Sequence, residues 1–291
     1  MKVITELPEY SWSELIDIIG MVVAENDFCQ PIKPYLSFPD PSARIIAMPA
    51  AVGGSIRKAG IKWISSFPEN HNKGLPRAHS VLILNDYDTG VPLITFNTAE
   101  LSALRTAAVT GYFLHQYMMF NEDLNSLGII GYGPIGQCHE SMIQTIFPFV
   151  KIMICDQKHI TNSKWETYTN YKNMIGNVDG IITCTAGSDS NHYIEEITDN
   201  IKVFLNISLR DMKISKSNFE YFDRWVVDSW DEVNRHGTDF SLFEKNYKFN
   251  NEQWSTLFDM DETFLKGKIC FNPMGMACFD IAIASYFLNK L

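Results

Sequence analysis

The chain has 291 residues, 46% of them hydrophobic and 20% charged, with a formal net charge of −10. That length and composition suit a folded protein of one large or two ordinary domains and exclude a disordered chain. The acidic balance speaks against nucleic acid as a partner, which needs a basic face, and against a polybasic membrane surface.

The opening residues, MKVITELPEYSW, hold no apolar leader segment, and no apolar run reaches the roughly 20 residues of a membrane span, so a cytoplasmic setting is expected. Residues 11–26, SWSELIDIIGMVVAEN, are predicted to be helical. Ser11 or Ser13 can cap the helix, and Leu15, Ile18, Ile19, Val22 and Val23 make an apolar stripe. Strand-like runs follow: KPYLSF, RIIAMPA, GIKWISS, SVLILND and VPLITFN. The last two flank DYDTG, a turn sequence, and predict a hairpin. TAELSALRTAAVTGYFLHQYMM reads as a long helix opened by Thr98, with Glu100 in its first turn.

The pattern then changes. SLGIIG, VKIMICD, DGIITCTA, IKVFLNIS and RWVVDSW are apolar strands, and helical or loop segments separate them. Such alternation predicts a parallel sheet covered on both faces, the Rossmann pattern of an α/β fold. The chain closes with KICFNPMGMACFDIAIASYFLNKL: a strand, a Pro/Gly turn and a helix that could return to the first block.

Within LGIIGYGPIGQCHE, the residues Gly131, Gly133 and Gly136 follow a strand and open a helix. Gly131 permits a tight turn, Gly133 a close backbone approach to a pyrophosphate, and Gly136 close packing of helix on strand. Pro134 and Ile135 belong to the same phosphate-facing turn, where the helix N-terminus presents its N–H groups. Asp156 ends the next strand, placed to accept hydrogen bonds from the adenosine ribose and to repel a 2′-phosphate. NAD is therefore the expected cofactor, although Lys158 nearby works against that preference. The bland alternative is a glycine turn in another α/β domain with Asp156 merely solvated.

In the first block Arg44, Lys62 and Arg105 stand out as cations in strand or helix context, and arginine is suited to gripping a carboxylate with two bonds. Each alone is equally an ordinary surface residue. Lys62, in an apolar strand beside Trp63, is either an edge residue with a solvated head or a working amine. Trp63, Trp225 and Trp230 read as packing residues. The six cysteines form no C-x-x-C pair and sit mostly in apolar runs, as reduced thiols do. With no H-E-x-x-H and no paired Cys/His spacing, no bound metal is expected.

RIIAMPA, GIKWISS, ALRTAAVTGYFL, LGIIGYGPIGQCHE, IITCTA and NPMGMACFDIAIA, in this order, resemble the ornithine cyclodeaminase/μ-crystallin family over about residues 12 to 290. NDFCQPIKPYL, GIKWI, VLILND, RTAAV and NPMGMA look closest to its 2,3-diaminopropionate branch, of siderophore and antibiotic pathways. The resemblance implies a Rossmann domain at 119–271. It also implies a discontinuous α+β substrate and dimerisation domain, 1–118 with 272–291, in a homodimer. Arg44 and Arg105 would bind substrate carboxylates. Lys62 would stand at the reacting amine or imine carbon, and Asp211 would be the acid/base carboxylate. Thr106 and the loops 184–186 and 207–210, with Thr185 and Ser208, would line the cofactor. Met274, in the turn 272–274, would close over the nicotinamide and touch substrate.

The implied reaction is NAD-dependent oxidation of N-(2-amino-2-carboxyethyl)-L-glutamate. Hydrolysis of the imine then gives 2,3-diaminopropionate and 2-oxoglutarate. An ornithine cyclodeaminase, a ketimine or amino-acid reductase, and a non-catalytic μ-crystallin-like binding protein are the alternatives. A third cation would favour a tricarboxylate, with Arg210, Arg57 and Lys58 as candidates. A buried Lys62 near two arginines should have a lowered pKa. The stretch after Asp156 is too brief for the family's helix, strand and helix, so a helix is expected to be missing there.

Overall fold

The helix expected at 11–26 forms because its apolar residues recur at helical spacing and one face can be buried. In this computed structural model, which describes residues 2–161, 163–185, 193–233 and 237–291, it follows β1 (Lys2–Ile4) as α1 (Trp12–Glu25). Ser11 is its N-cap, and Asn26, at φ 47° in the left-handed region, stops it. The chain divides into two compact units, residues 1–112 with 275–291 and residues 113–274.

Unit 1 is built on a mostly antiparallel sheet of β2 (Phe28–Cys29), β3 (Tyr35–Ser37), β4 (Arg44–Val52), β5 (Lys58–Ser66), β6 (Ala78–Asp86) and β7 (Pro92–Phe96). The order is β1-β7-β6-β5-β4-β2, with β3 also on β4 and β1 joining β7 in parallel. The expected hairpin is β6–β7: Asp86 Oδ1 accepts from Thr89 N, and Gly90 takes φ 71°. Side chains alternate across the sheet. Met48, Ala50 and Val52 are buried, whereas Trp63 faces the other way and is 43% exposed. Trp63 is thus no core residue, contrary to the packing role expected of it. Then α2 (Glu100–Met118) begins, Thr98 Oγ1 accepting from Glu100 N, and it runs through the division between the units.

In unit 2 the strands are β8 (Ser126–Ile130), β9 (Lys151–Cys155), β10 (Glu166–Tyr168), β11 (Gly180–Thr183), β12 (Val203–Asn206), β13 (Arg224–Val227), β14 (Trp254–Thr256) and β15 (Ile269–Phe271). The helices are α3 (Pro134–Ile146), α4 (Lys216–Tyr221), α5 (Trp230–Val233) and α6 (Asp239–Tyr247). All strand pairs are parallel, in the order β10-β9-β8-β11-β12-β15-β13-β14. This is the expected Rossmann sheet. Its winding reverses between β8 and β11, the place where open α/β sheets bind ligands beyond the strand ends.

Between β9 and β11 no α-helix forms among the described residues. Two 3₁₀ turns, Tyr171–Asn173 and Ile175–Asn177, stand there and bury Tyr171, Met174 and Ile175. Met174 lies directly on β8 at Gly128, where an added Cβ would come within 2.6 Å of its Cε. The small residue at 128 lets Met174 pack directly on the sheet. No helix among the described residues is long and apolar enough to cross a membrane.

The last helix, α7 (Ala277–Asn289), belongs to unit 1 and packs on α1, β4, β5 and β6. Residues 277–287 are buried without interruption. A helix apolar all round belongs in a core, so the acid in the middle of it, Asp280, needs explaining.

Candidate active site

Unit 1 carries a buried charge cluster. Lys62, on the interior strand β5, points into the core and is 1% exposed. Its Nζ donates to Asp280 Oδ1 at 2.8 Å, lies 2.8 Å from Asp280 Oδ2, and lies 3.3 Å from Ser102 Oγ. Arg105, on α2, donates from Nε to the same Asp280 Oδ1 at 3.0 Å. Lys33, also buried, donates to the carbonyl of Gly275 at 2.9 Å. Burial pulls the Lys62 amine down to about 7; Asp280 opposes this, and the charges of Arg105 and Lys33 add to it. The lowered pKa expected for Lys62 is thus present, with Arg105 among the cations acting on it and Asp280 as the unexpected partner. Burial works to raise the Asp280 carboxyl, but the charges of Arg105 and Lys62 win and hold it below the usual range.

Arg44 opens β4 on the face that carries Lys62, since Met48 is the residue opposite Lys62 and alternate residues share a face. It lies four residues from that rung, about 13 Å along the strand. Of the three proposed third cations, Arg57 pairs with Asp88 at the surface, Lys58 donates to the Arg57 carbonyl, and Arg210, in unit 2, donates to the Gly237 carbonyl. Among the described residues, Lys33 is the third buried cation.

Unit 2 carries the glycine loop. Gly131 has φ 91°, and its missing Cβ would stand 2.7 Å from the Cys184 carbonyl oxygen. A Cβ on Gly136 would meet the Gly131 carbonyl oxygen at 2.2 Å, so only glycine lets α3 start so close to β8. Around Gly133 there is open space, and Gly133, Pro134 and Ile135 are exposed. Asp156 holds the loop: its Oδ2 accepts from Tyr132 N at 2.7 Å and its Oδ1 from Lys158 N at 2.9 Å. A carboxylate has about four acceptor positions, so capacity remains for further donors. A cavity of about 300 Å³ opens nearby in sequence, lined by Lys158, His159, Ile160, Thr167, Tyr168, Thr169 and Asn173.

A second buried network surrounds Asp211, which is 1% exposed. Its Oδ2 accepts from Thr185 Oγ1 at 2.6 Å and from Ser208 Oγ at 2.5 Å. Ser208 Oγ is also 2.8 Å from Thr183 Oγ1, which donates to Asn206 Oδ1 at 3.1 Å. Leu209 N donates to the same Asn206 Oδ1, and Asn206 Nδ2 donates to Asp239 Oδ2 and Asn272 Oδ1. The orientation of Asn206 is therefore set, and the single proton of Thr183 goes to it. Ser208 has one proton and two neighbours. When Asp211 is charged, Ser208 donates to it. When Asp211 carries a proton, it donates to Ser208, which turns towards Thr183. Both protonation states of Asp211 are satisfied by one hydroxyl rotation, which suits a group that takes up and returns a proton.

Burial raises Asp239 to about 7 against its bonds from Met212 N and Asn206, and the Asp211 charge adds to the rise. An acid raised in the folded state costs stability as pH climbs from its unfolded value near 4 to about 7. Asp239→Asn keeps an acceptor without the charge. It is expected to match the wild type near pH 4 and to exceed it by up to about 4 kcal/mol at pH 8. Urea unfolding at the two pH values checks this; equal stability changes at both would contradict it.

The family model described as the ornithine cyclodeaminase/mu-crystallin family matches residues 12–194. The chain belongs to that family. A relative in Staphylococcus aureus, N-((2S)-2-amino-2-carboxyethyl)-L-glutamate dehydrogenase, is 33% identical over 295 aligned positions, covering 92% of this chain and 85% of the relative. Among solved structures, a Thermococcus litoralis Δ(1)-pyrroline-2-carboxylate reductase in complex with NADH and L-proline superposes with a TM-score of 0.80 at 19% identity. It covers 100% of this chain and 97% of that one. An archaeal alanine dehydrogenase dimer with bound NAD gives 0.76 at 19% identity, covering 100% and 96%. Both share the fold.

Most of the expected residues fall into three groups. Lys62 and Arg105 meet on Asp280 in unit 1, and Thr185, Ser208 and Asp211 meet in unit 2. The loop of Gly131, Gly133, Pro134, Ile135, Gly136 and Asp156 is assembled as one turn. Others stand apart. Thr106 Oγ1 donates one turn back to the Ser102 carbonyl, and Met274 N donates to the buried Asp228. Met274 closes unit 2, although the expected boundaries put it in the substrate domain. Ala186, at the end of the predicted loop 184–186, lies outside the described residues. Sequence reasoning passed over Asp280, Lys33, Asn206 and Asp239. Asp280 left a signal, since a lone acid in ACFDIAIASYF demands a cation.

Proposed function

We propose that the protein oxidises the secondary amine N-(2-amino-2-carboxyethyl)-L-glutamate with NAD⁺ and hydrolyses the product imine to 2,3-diaminopropionate and 2-oxoglutarate. The observation that carries this reading is the buried Lys62 and Arg105 around one carboxylate, a site for an anionic substrate, in a chain akin along nearly its whole length to a dehydrogenase of that amine. The residues of unit 2 fit a dinucleotide: open space at Gly133, an uncapped start of α3, and the Asp156 carboxylate beside the loop. Gly131, Gly133, Pro134, Ile135 and Gly136 would hold the pyrophosphate, and Asp156 the adenosine ribose. NAD⁺, when bound, accepts a hydride.

This chain's residues do the rest. Arg105, with Arg44, grips substrate carboxylates and so orients the C–H bond that breaks. Loss of the hydride from the glutamate α-carbon leaves that carbon double-bonded to nitrogen. Water adds to it, and the C–N bond breaks with a proton returning to the departing amine. Asp211 takes the proton from water and gives it back to nitrogen, its Ser208 partner turning each time. Lys62, part-neutral at pH 7, steadies the substrate at the reacting carbon. The balance is amine plus NAD⁺ plus water to two products, NADH and a proton.

The test is a substrate comparison. With NAD⁺ and the secondary amine, NADH should accumulate, whereas L-ornithine should give neither proline nor ammonia. Ornithine turnover without net NADH would move the protein to the cyclodeaminases, and failure to bind NADH would favour a μ-crystallin-like binding role. Gly136→Ala forces a Cβ against the Gly131 carbonyl and should cost about 1–3 kcal/mol and weaken NADH binding at least about tenfold. Fluorescence titration checks it; wild-type affinity would contradict the assignment of the loop.

The homodimer belongs to the same proposal. The outer face of the unit 1 sheet sets Trp63 between Ala47 and Val81, and Ile61 between Pro49 and Ile83. Trp63→Glu is expected to turn a dimeric light-scattering mass into a monomeric one. A dimer that survives the change would place the interface elsewhere.

A further inference from the structure

We propose that Asp280, on the buried helix α7, is a positioning residue that aims both Arg105 and Lys62 through one shared carboxylate. The inference rests on the function proposed above. A fully buried carboxylate in an apolar helix is no gift to stability, because a well-packed apolar residue does as well or better. Its geometry is what a positioning role needs. Oδ1 accepts from Lys62 Nζ at 2.8 Å and from Arg105 Nε at 3.0 Å, and Oδ2 lies 2.8 Å from Lys62 Nζ.

The use of Nε matters. A guanidinium held at Nε has its plane and roll set, while its far edge, Nη1 and Nη2, is left to act as a fork for another carboxylate. Among the described residues no hydrogen bond is made to Nη1 or Nη2. The fork lies against Gly275, at φ 80°, where an added Cβ would come 2.9 Å from Nη1 and 3.1 Å from Nη2. Gly275 thus leaves the fork its room, and Asp280 sets its direction. On the other side, the charged groups acting on Lys62 are Asp280, Arg105 and Lys33, with the Ser102 hydroxyl as its neutral neighbour. Without Asp280 those cations repel one another, and the two heads part.

The test uses the full-length protein with Asp280→Asn and Asp280→Glu. With the secondary amine as substrate, Asp280→Asn should raise KM more than it lowers kcat, with kcat/KM down about 10²-fold, the loss a displacement near 1 Å can cause. NADH affinity, set by unit 2, should stay within twofold, roughly. The Lys62 titration, read by NMR of ¹³Cε-labelled lysine and assigned with Lys62→Met, should move from a midpoint of about 7 to lower pH. A folded Asp280→Asn protein with wild-type KM and an unmoved Lys62 midpoint would overturn the proposal. Should the asparagine variant fail to fold, Asp280→Glu decides. It keeps the charge but displaces both heads, so KM should rise about tenfold or more, and wild-type KM would overturn the proposal. Should the wild type not turn over this amine, the function proposed above fails, and the Lys62 midpoint still tests the proposal by itself: an unmoved midpoint in a folded Asp280→Asn protein overturns it.

Discussion

Asp211→Asn is expected to lower kcat about 10²–10⁴-fold, the loss that follows removal of a placed general acid or base, with NADH binding retained. The substitution changes almost no volume. Thr185 and Ser208 can still donate to the amide oxygen that replaces Oδ2, so the buried network of Asn206, Asn272 and Asp239 keeps its partners. In the proposed reaction, what is lost is the group that takes a proton from water and returns it to nitrogen. Single-turnover kinetics with circular dichroism as the control of fold makes the measurement. Activity within threefold of wild type, roughly, would remove Asp211 from the chemistry, since no general acid or base is worth so little.

Lys62→Met is expected to lower kcat/KM about 10²–10³-fold, the loss seen when one placed donor at a reacting centre is removed. Two pH signatures should go with it. The wild-type kcat/KM should rise as pH passes up through about 7, where burial has drawn the Lys62 amine, and the variant should lack that limb. The folded pKa lies below the unfolded value near 10.4, so the unfolded chain binds more protons between the two. Lys62 therefore makes folding stability rise with pH from about 7 towards about 10. Denaturant unfolding across that window should show a shallower slope in Lys62→Met. An unchanged slope, or a variant with full activity, would mean that the amine is charged, idle or both.

Local chemistry made most of the fold legible. The period of α1, the DYDTG hairpin and the strand–glycine–helix sequence of β8 and α3 each rest on residues a few positions apart, and each formed where it was expected. Gly131 and Gly136 could be read because a turn and a close approach leave glycine no substitute. The strands β1 and β10, three residues each, carry too little pattern to be seen, and their pairing comes from β7 and β9. The apolar strand around Trp63 does not say which of its faces meets the core, and Trp63 is on the outer one. The partnerships of the buried polar groups in each unit were the least visible part. Asp280 stands 218 positions from Lys62 and 175 from Arg105, so only the folded chain joins them. The same holds for Asp239 and Asn206, ordinary residues in sequence that become a buried network with Asp211.

In the proposed function, hydride leaves the glutamate α-carbon of a secondary amine and the resulting imine is hydrolysed. The most direct measurement places deuterium on that carbon, supplies NAD⁺, and follows the label by mass spectrometry while 2-oxoglutarate is counted. The expected result is one deuterium in each NADH formed and one 2-oxoglutarate for each NADH. Unlabelled NADH, or 2-oxoglutarate formed without NADH, would contradict the oxidation proposed for this protein.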